Sequence, residues 1–211
     1  MIKKPSPLQT EIRSAVATSR VELRAGADGT MPTLVGYAAV FDSRTDLGWF
    51  EEEVVVGAFT RSLTDGDDVR ALYNHDSAQV IGRRDAKTLR LEEDATGLRI
   101  EIDLPDTTAA RDLIANINAG NIDGMSFGFR AREQEWIERE DEPELRRLID
   151  VELIEVSAVT FPAYPDTSIA KRSLELSRTK SPAGQSASEE RNEKPTTPSL
   201  QVLRLRAARL Q

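Results

Sequence analysis

The 211-residue chain has no cysteine, one histidine (His75) and six lysines, of which only Lys87 lies between residues 5 and 170. Without cysteine, disulfide scaffolds, thiol nucleophiles and thiolate metal sites are excluded together. A lone histidine also excludes zinc sites that need two or three imidazoles from one chain. No apolar run approaches the roughly 18–20 residues of a membrane span. "MIKKPSPLQT" carries two lysines with no apolar stretch behind them, so a secretory leader is not expected and a cytoplasmic chain is. Neither a Gly-rich phosphate loop ending in Gly-Lys-Ser/Thr nor an EF-hand loop is present. The 36 acidic residues keep an oxygen-only Mg²⁺ or Ca²⁺ site open. The catalytic chemistries left are serine with histidine, paired carboxylates, or serine with lysine. The last would need Lys87, and "RRDAKTLRLEE" reads as an exposed turn entering a strand.

What is there suits a soluble domain: 39% hydrophobic and 30% charged residues, with a net charge of −8. Residues 176–211 hold seven Lys and Arg against three Glu, a net +4, which leaves −12 on residues 1–175. An acidic body argues against nucleic-acid binding there, and the basic end suits an acidic partner.

Organisation follows from pattern. Residues 1–29 form a loose arm, and 30–176 a β-dominated α+β domain. "TLVGYAAVF" (33–41) and "DVRALYNHD" (68–76) read as strands, and "FEEEVVVGAFTRSL" (50–63) as a short strand, a glycine and a helical turn carrying Phe59 and Leu63. "TLRLEEDATGLRIEIDLP" (88–105) reads as a hairpin, with Leu98, Ile100, Ile102 and Leu104 alternating against Arg99, Glu101 and Asp103. "DTTAARDLIANINAG" (106–120) predicts a helix capped by Asp106 or Thr107 and ended by Gly120. "MSFGFRAREQEWIE" (125–138) and "LRRLIDVELIEVSAVTFPAYP" (145–165) predict two more strands, and 167–176 a last helix. Short strand-turn-strand connections favour an antiparallel sheet that curls towards a barrel-like core flanked by helices. Residues 177–198 have the Ser, Thr, Pro and charge content of a flexible linker. Residues 199–211 return to helical spacing as an amphipathic segment, with Leu200, Leu203, Ala207 and Leu210 on one stripe.

Three stretches carry chemistry. "LYNHDSAQVIGR" (72–83) holds His75. In "GMSFGFR" (124–130) large apolar Met125, Phe127 and Phe129 alternate with Ser126, Gly128 and Arg130. A serine beside a glycine leaves room above a sheet for a close backbone approach. In "VELIEVSAVTFPAYP" (151–165) Glu152 and Glu155 interrupt an apolar strand, where a carboxylate is costly unless paired. Three positions apart, the two point to opposite faces of a straight strand. Serine needs a base at neutral pH, histidine suits that role, and a carboxylate fixes the imidazole tautomer. His75 is the only histidine that can serve.

The order "GYAAVFDS … VVVGAFTRSL … VRALYNHD … GMSFGFR … ELIEVSAVTFPAYPDT", over roughly residues 30–170, resembles the prohead (procapsid) maturation serine proteases of tailed bacteriophages. That family is distantly similar to the herpesvirus assemblins, so the resemblance implies an assemblin-like β-barrel ringed by helices. It implies Ser126 as nucleophile, His75 as general base and Glu155 as third member, with Glu152 the alternative. Asp76 or Asp150 would follow if neither glutamate serves. Arg130 becomes an oxyanion candidate. The family works without metal or cofactor on capsid and scaffold polypeptides and on itself, inside the assembling prohead of the infected cell. That implies major capsid protein and scaffold as partners, no nucleic acid, no membrane, and room for a homo-oligomer. "PAYP" departs from the family's usual Asn before the second proline, without consequence for the chemistry. Two rivals stand beside this reading: a catalytically silent assembly module of the same fold, and a carboxylate hydrolase built on Glu51–Glu53 or Glu92–Asp94.

Overall fold

The computed structural model describes residues 9–14 and 21–161. Their elements are β1 (Glu11–Ser14), β2 (Glu22–Arg24), β3 (Thr33–Val40), β4 (Thr45–Asp46), β5 (Phe50–Val54), α1 (Thr60–Asp65), β6 (Arg70–Tyr73), β7 (Asp76–Arg83), β8 (Leu89–Glu93), β9 (Gly97–Asp103), α2 (Thr108–Asn118), β10 (Gly124–Ile137) and β11 (Glu144–Val159). A single 3₁₀ turn, Ala27–Gly29, lies between β2 and β3. The expected helix 167–176, the linker 177–198 and the segment 199–211 lie outside the described residues.

Local chemistry explains the clearest elements. The Thr107 hydroxyl accepts the Ala110 amide at 3.3 Å and starts α2, which buries Ala110 and Leu113. Just past its end, Gly120 takes the left-handed conformation (φ 73°) at no side-chain cost. The β8–β9 turn is tied by Asp94, whose carboxylate accepts the amides of Thr96 (2.7 Å) and Gly97 (3.1 Å). Leu98, Ile100 and Ile102 then all face the core, as their alternation predicts.

The strands form two sheets. One is antiparallel, in the order β2-β3-β9-β8. The other runs β1-β10-β11-β5-β4, with β6 also on β11 and β7 beyond β6. Side chains from both, among them Leu34 and Ile100 on one side and Phe127, Phe129 and Val156 on the other, share one buried core. Each such fully buried large side chain is worth about 1.5–3 kcal/mol.

Two expectations need correction. Neither sheet closes into a barrel among the described residues. Nor is the larger sheet antiparallel throughout, because β5 and β6 both pair parallel with β11. The reason is the length of β11, 16 residues, which accommodates β5 and β6 end to end along one flank. Between them the chain leaves the sheet to form α1. The β11 amides it uncovers are taken up there: Val151 donates to the Ala58 carbonyl (3.0 Å) and Leu153 to the Ser62 hydroxyl (2.9 Å). A third difference lies in the N-terminal arm, where Glu11–Ser14 is a strand along the outer edge of β10 and Glu22–Arg24 one paired with β3.

Candidate active site

Paired strands β10 and β11 present three rows of side chains on one face. Ser126 stands opposite Ser157, Gly128 opposite Glu155, and Arg130 opposite Glu152. The first two rows follow from simple alternation. The third requires a bulge, because Phe129 pairs with Leu153 and leaves Ile154 without a partner in the ladder. One extra residue re-phases β11, so Glu152 and Glu155 share a face instead of opposing each other as a straight strand would have them. The opposite face carries Met125, Phe127 and Phe129 into the core, with the Phe127 ring edge-on to Phe59 at 5.4 Å.

His75 reaches the polar face from the β6–β7 turn. Asn74 and His75 both have positive φ (53° and 59°), and Tyr73 pairs with Asp76 across them. This is the two-residue hairpin geometry that usually takes Asn-Gly, here closed by Asn-His. A histidine in that conformation costs of order 1 kcal/mol, the kind of strain that persists where a side chain must be aimed. Asn74 fastens the turn to the end of β11. Its amide donates to the Ala158 carbonyl (2.9 Å), its Oδ1 accepts the Thr160 amide (2.8 Å), and its Nδ2 donates to Thr160 Oγ1 (3.1 Å).

So placed, the His75 Nδ1 meets Glu155 Oε1 at 2.6 Å. The carboxylate oxygen can only accept, so Nδ1 donates there, and in the neutral ring Nε2 keeps its lone pair. The other carboxylate oxygen accepts from Ser157 Oγ at 2.5 Å. Glu155 is thus held from two sides and is nearly buried, at 9% exposure. Gly128 supplies the room: a β-carbon there would lie 2.7 Å from Glu155 Oε1.

Ser126 is fully buried one row away, and its hydroxyl donates to the Arg13 carbonyl of β1 at 3.0 Å rather than to the imidazole. β1 is held in place by a buried charge cluster. Arg146, fully buried, donates to Glu11 (2.7 and 2.8 Å) and Glu52 (2.8 Å), and Arg13 donates to Glu52 (2.6 Å) and Glu11 (2.6 Å). Burial alone would raise the Glu11 pKa, but the hydrogen bond from Arg146 and the charges of Arg13 and Arg146 outweigh it and hold the carboxyl below its ordinary 4.5.

The remaining candidates are engaged elsewhere. Arg130 pairs with Glu152 at 3.0 Å in a solvent-facing contact, two rows from Ser126. Asp76 accepts the Ala78 amide (2.9 Å) and Gln79 Nε2 (3.0 Å) within its turn. Asp150 accepts from Arg61 at 3.2 Å. Ser62, also buried, serves α1 by donating to Asp67 and accepting from Leu153. Of the rival acids, four meet partners and Glu92 is exposed. Glu51, Glu52 and Glu53 lie on strand β5, not in a turn, and each meets an arginine. Asp94 is spent on its turn and on the Tyr37 hydroxyl (2.6 Å). Among the described residues no group of three His, Asp or Glu is placed to hold a metal ion, and no helix is long and apolar enough to cross a membrane.

Sequence reasoning missed Ser157, Asn74 as a clamp, and the Arg13 carbonyl. Ser157 was findable, since it stands two positions from Glu155 and so shares its face in any strand.

A family model described as caudovirus prohead serine protease matches residues 17–182. No curated protein matches the chain. Among solved structures, the bacteriophage T4 capsid assembly protease is similar, with 13% identity, a TM-score of 0.49, and coverage of 73% of this chain and 98% of that one.

Proposed function

The chain belongs to the caudovirus prohead serine protease family, and from that premise we propose that it is a serine endopeptidase working through Ser126, His75 and Glu155. The observation that carries this assignment is the 2.6 Å contact between His75 Nδ1 and Glu155 Oε1, one row from Ser126 on the same face. In turnover Ser126 Oγ attacks the scissile carbonyl carbon and its proton passes to His75 Nε2. The imidazolium, steadied by Glu155, gives that proton to the leaving amine, and water then releases the acyl group from Ser126 by the same base. Ser157 is a positioning residue, since it acts on Glu155. The substrates are the major capsid protein, scaffold and the chain itself, cut inside the assembling prohead of the host cell, with no metal or cofactor. Recognition is of extended polypeptide, as an added strand. An assemblin-like ancestry of the fold is part of the same reading.

A catalytically silent module of the same fold is the alternative, and a covalent probe separates the two. Prolonged incubation with a fluorophosphonate should yield one adduct, mapped by mass spectrometry to Ser126 and absent from Ser126→Ala. An unmodified Ser126 after full digestion and mapping would favour the silent module.

A further inference from the structure

Among the described residues, the nucleophile-bearing strand β10 has β11 on one side and only the four-residue β1 on the other. β1 runs antiparallel to it with Ser14 in register with Ser126, and the carbonyl of Arg13 accepts a hydrogen bond from the Ser126 hydroxyl at 3.0 Å. An extended peptide presenting a carbonyl to the nucleophile from the edge of its own sheet has the geometry of strand-addition recognition. The fastening of β1 is charge-based, through Glu11 and Arg13 to Arg146 and Glu52, and Ile12 between them is 42% exposed. With β1 in place Ser126 is inaccessible, and its proton points at a peptide carbonyl instead of at His75.

We propose that the outer edge of β10 is the peptide-strand binding site of this enzyme, and that residues 11–14 are its intramolecular occupant, holding the chain latent until a substrate strand displaces them. This rests on the reading of Ser126 as nucleophile. A short edge strand belongs to the low-stability end of a fold, where opening occurs without global unfolding, so displacement by a competing strand is feasible.

The chain's lack of cysteine gives a direct test that needs no catalysis. Ser126→Cys introduces a single thiol, and its reaction with a soluble disulfide reagent reports access to the site. In that full-length background the thiol should react slowly. Either Ile12→Pro or the pair Glu11→Gln and Arg13→Gln should speed it by roughly tenfold or more. A synthetic peptide of residues 9–14 at roughly millimolar concentration should slow it again. A folded variant whose β1 amides have lost hydrogen-exchange protection, yet whose thiol reacts no faster, overturns the proposal. So does a thiol that already reacts like an exposed one in the Ser126→Cys background. If the variants fail to fold, Ser126→Cys alone decides. Thiol reaction in step with β1 amide exchange supports the proposal, and reaction only with global unfolding overturns it. A missing fluorophosphonate adduct would sink the serine-protease reading while leaving these thiol results standing.

Discussion

A methyl group at Gly128 would occupy the space that the Glu155 carboxylate now fills. That oxygen is the end of a side chain, but it is fixed by His75 and Ser157 and cannot swing away without losing one of them. Gly128→Ala should therefore cost about 1–3 kcal/mol of stability by overpacking and roughly 10²-fold in kcat by displacing the imidazole. Parallel melting curves and peptidase assays check this, and full activity in Gly128→Ala would mean that Glu155 does not set the position of His75. The two glutamates differ in the same terms. Glu155→Gln leaves one acceptor oxygen for two donors, His75 Nδ1 and Ser157 Oγ, removes the charge that steadies the imidazolium, and should lower activity by roughly 10²–10⁴-fold. Glu152→Gln weakens only a solvent-facing pair, worth about 0–1 kcal/mol, and should leave activity nearly unchanged. The opposite ranking would transfer the third role to Glu152.

Elements whose information is local were legible in the sequence, and those that depend on distant pairing were not. The helix at Thr108–Asn118 and the β8–β9 hairpin follow from caps, turn residues and alternation within a dozen positions. The bulge at Ile154 has no such marker, because an apolar strand continues through it without Gly or Pro. Only the register against β10 reveals it, and with it the shared face of the two glutamates. β1 was invisible for a related reason: "EIRS" is short and charged, and what stabilises it is an arginine 135 positions from Glu11. That fastening makes β1 sensitive to acid. The Glu11 pKa is depressed in the fold, so its contribution is fully present above the ordinary 4.5 and is lost as pH falls through the folded value. The groups facing it are Arg13, Arg146 and Glu52. Exchange protection of residues 11–14, corrected for intrinsic rates, should fall on acidification below pH 4.5 ahead of that of β10 and β11. Loss in step with the whole sheet would contradict this. For the turn that carries His75, Asn74→Gly keeps the positive φ but removes the side-chain bonds to Thr160. Activity should drop about tenfold, with a smaller effect on melting temperature.

Across the whole molecule, one body carries the site, and the chain beyond it is read from composition alone. Residues 177–198, rich in Ser, Thr, Pro and charge, have the character of a segment that proteases cut. Residues 199–211, too short to hold a helix alone in water, combine leucines and arginines, and the proposal for them is docking on scaffold or capsid precursor. Wild type, but not Ser126→Ala, should therefore lose a C-terminal fragment of about 15–30 residues, visible by intact mass. An uncut C-terminus on enzyme recovered from mature particles would contradict self-removal of the tail. The central claim, that Ser126 is the nucleophile served by His75, is tested most directly by co-expressing the chain with its cognate capsid protein and sequencing the product termini by mass spectrometry. Wild type should generate new termini in the capsid protein. Ser126→Ala, with its melting temperature unchanged within a few degrees, should generate none, since loss of a triad member costs roughly 10⁴–10⁶ in rate. The same new termini appearing with folded Ser126→Ala would contradict the account.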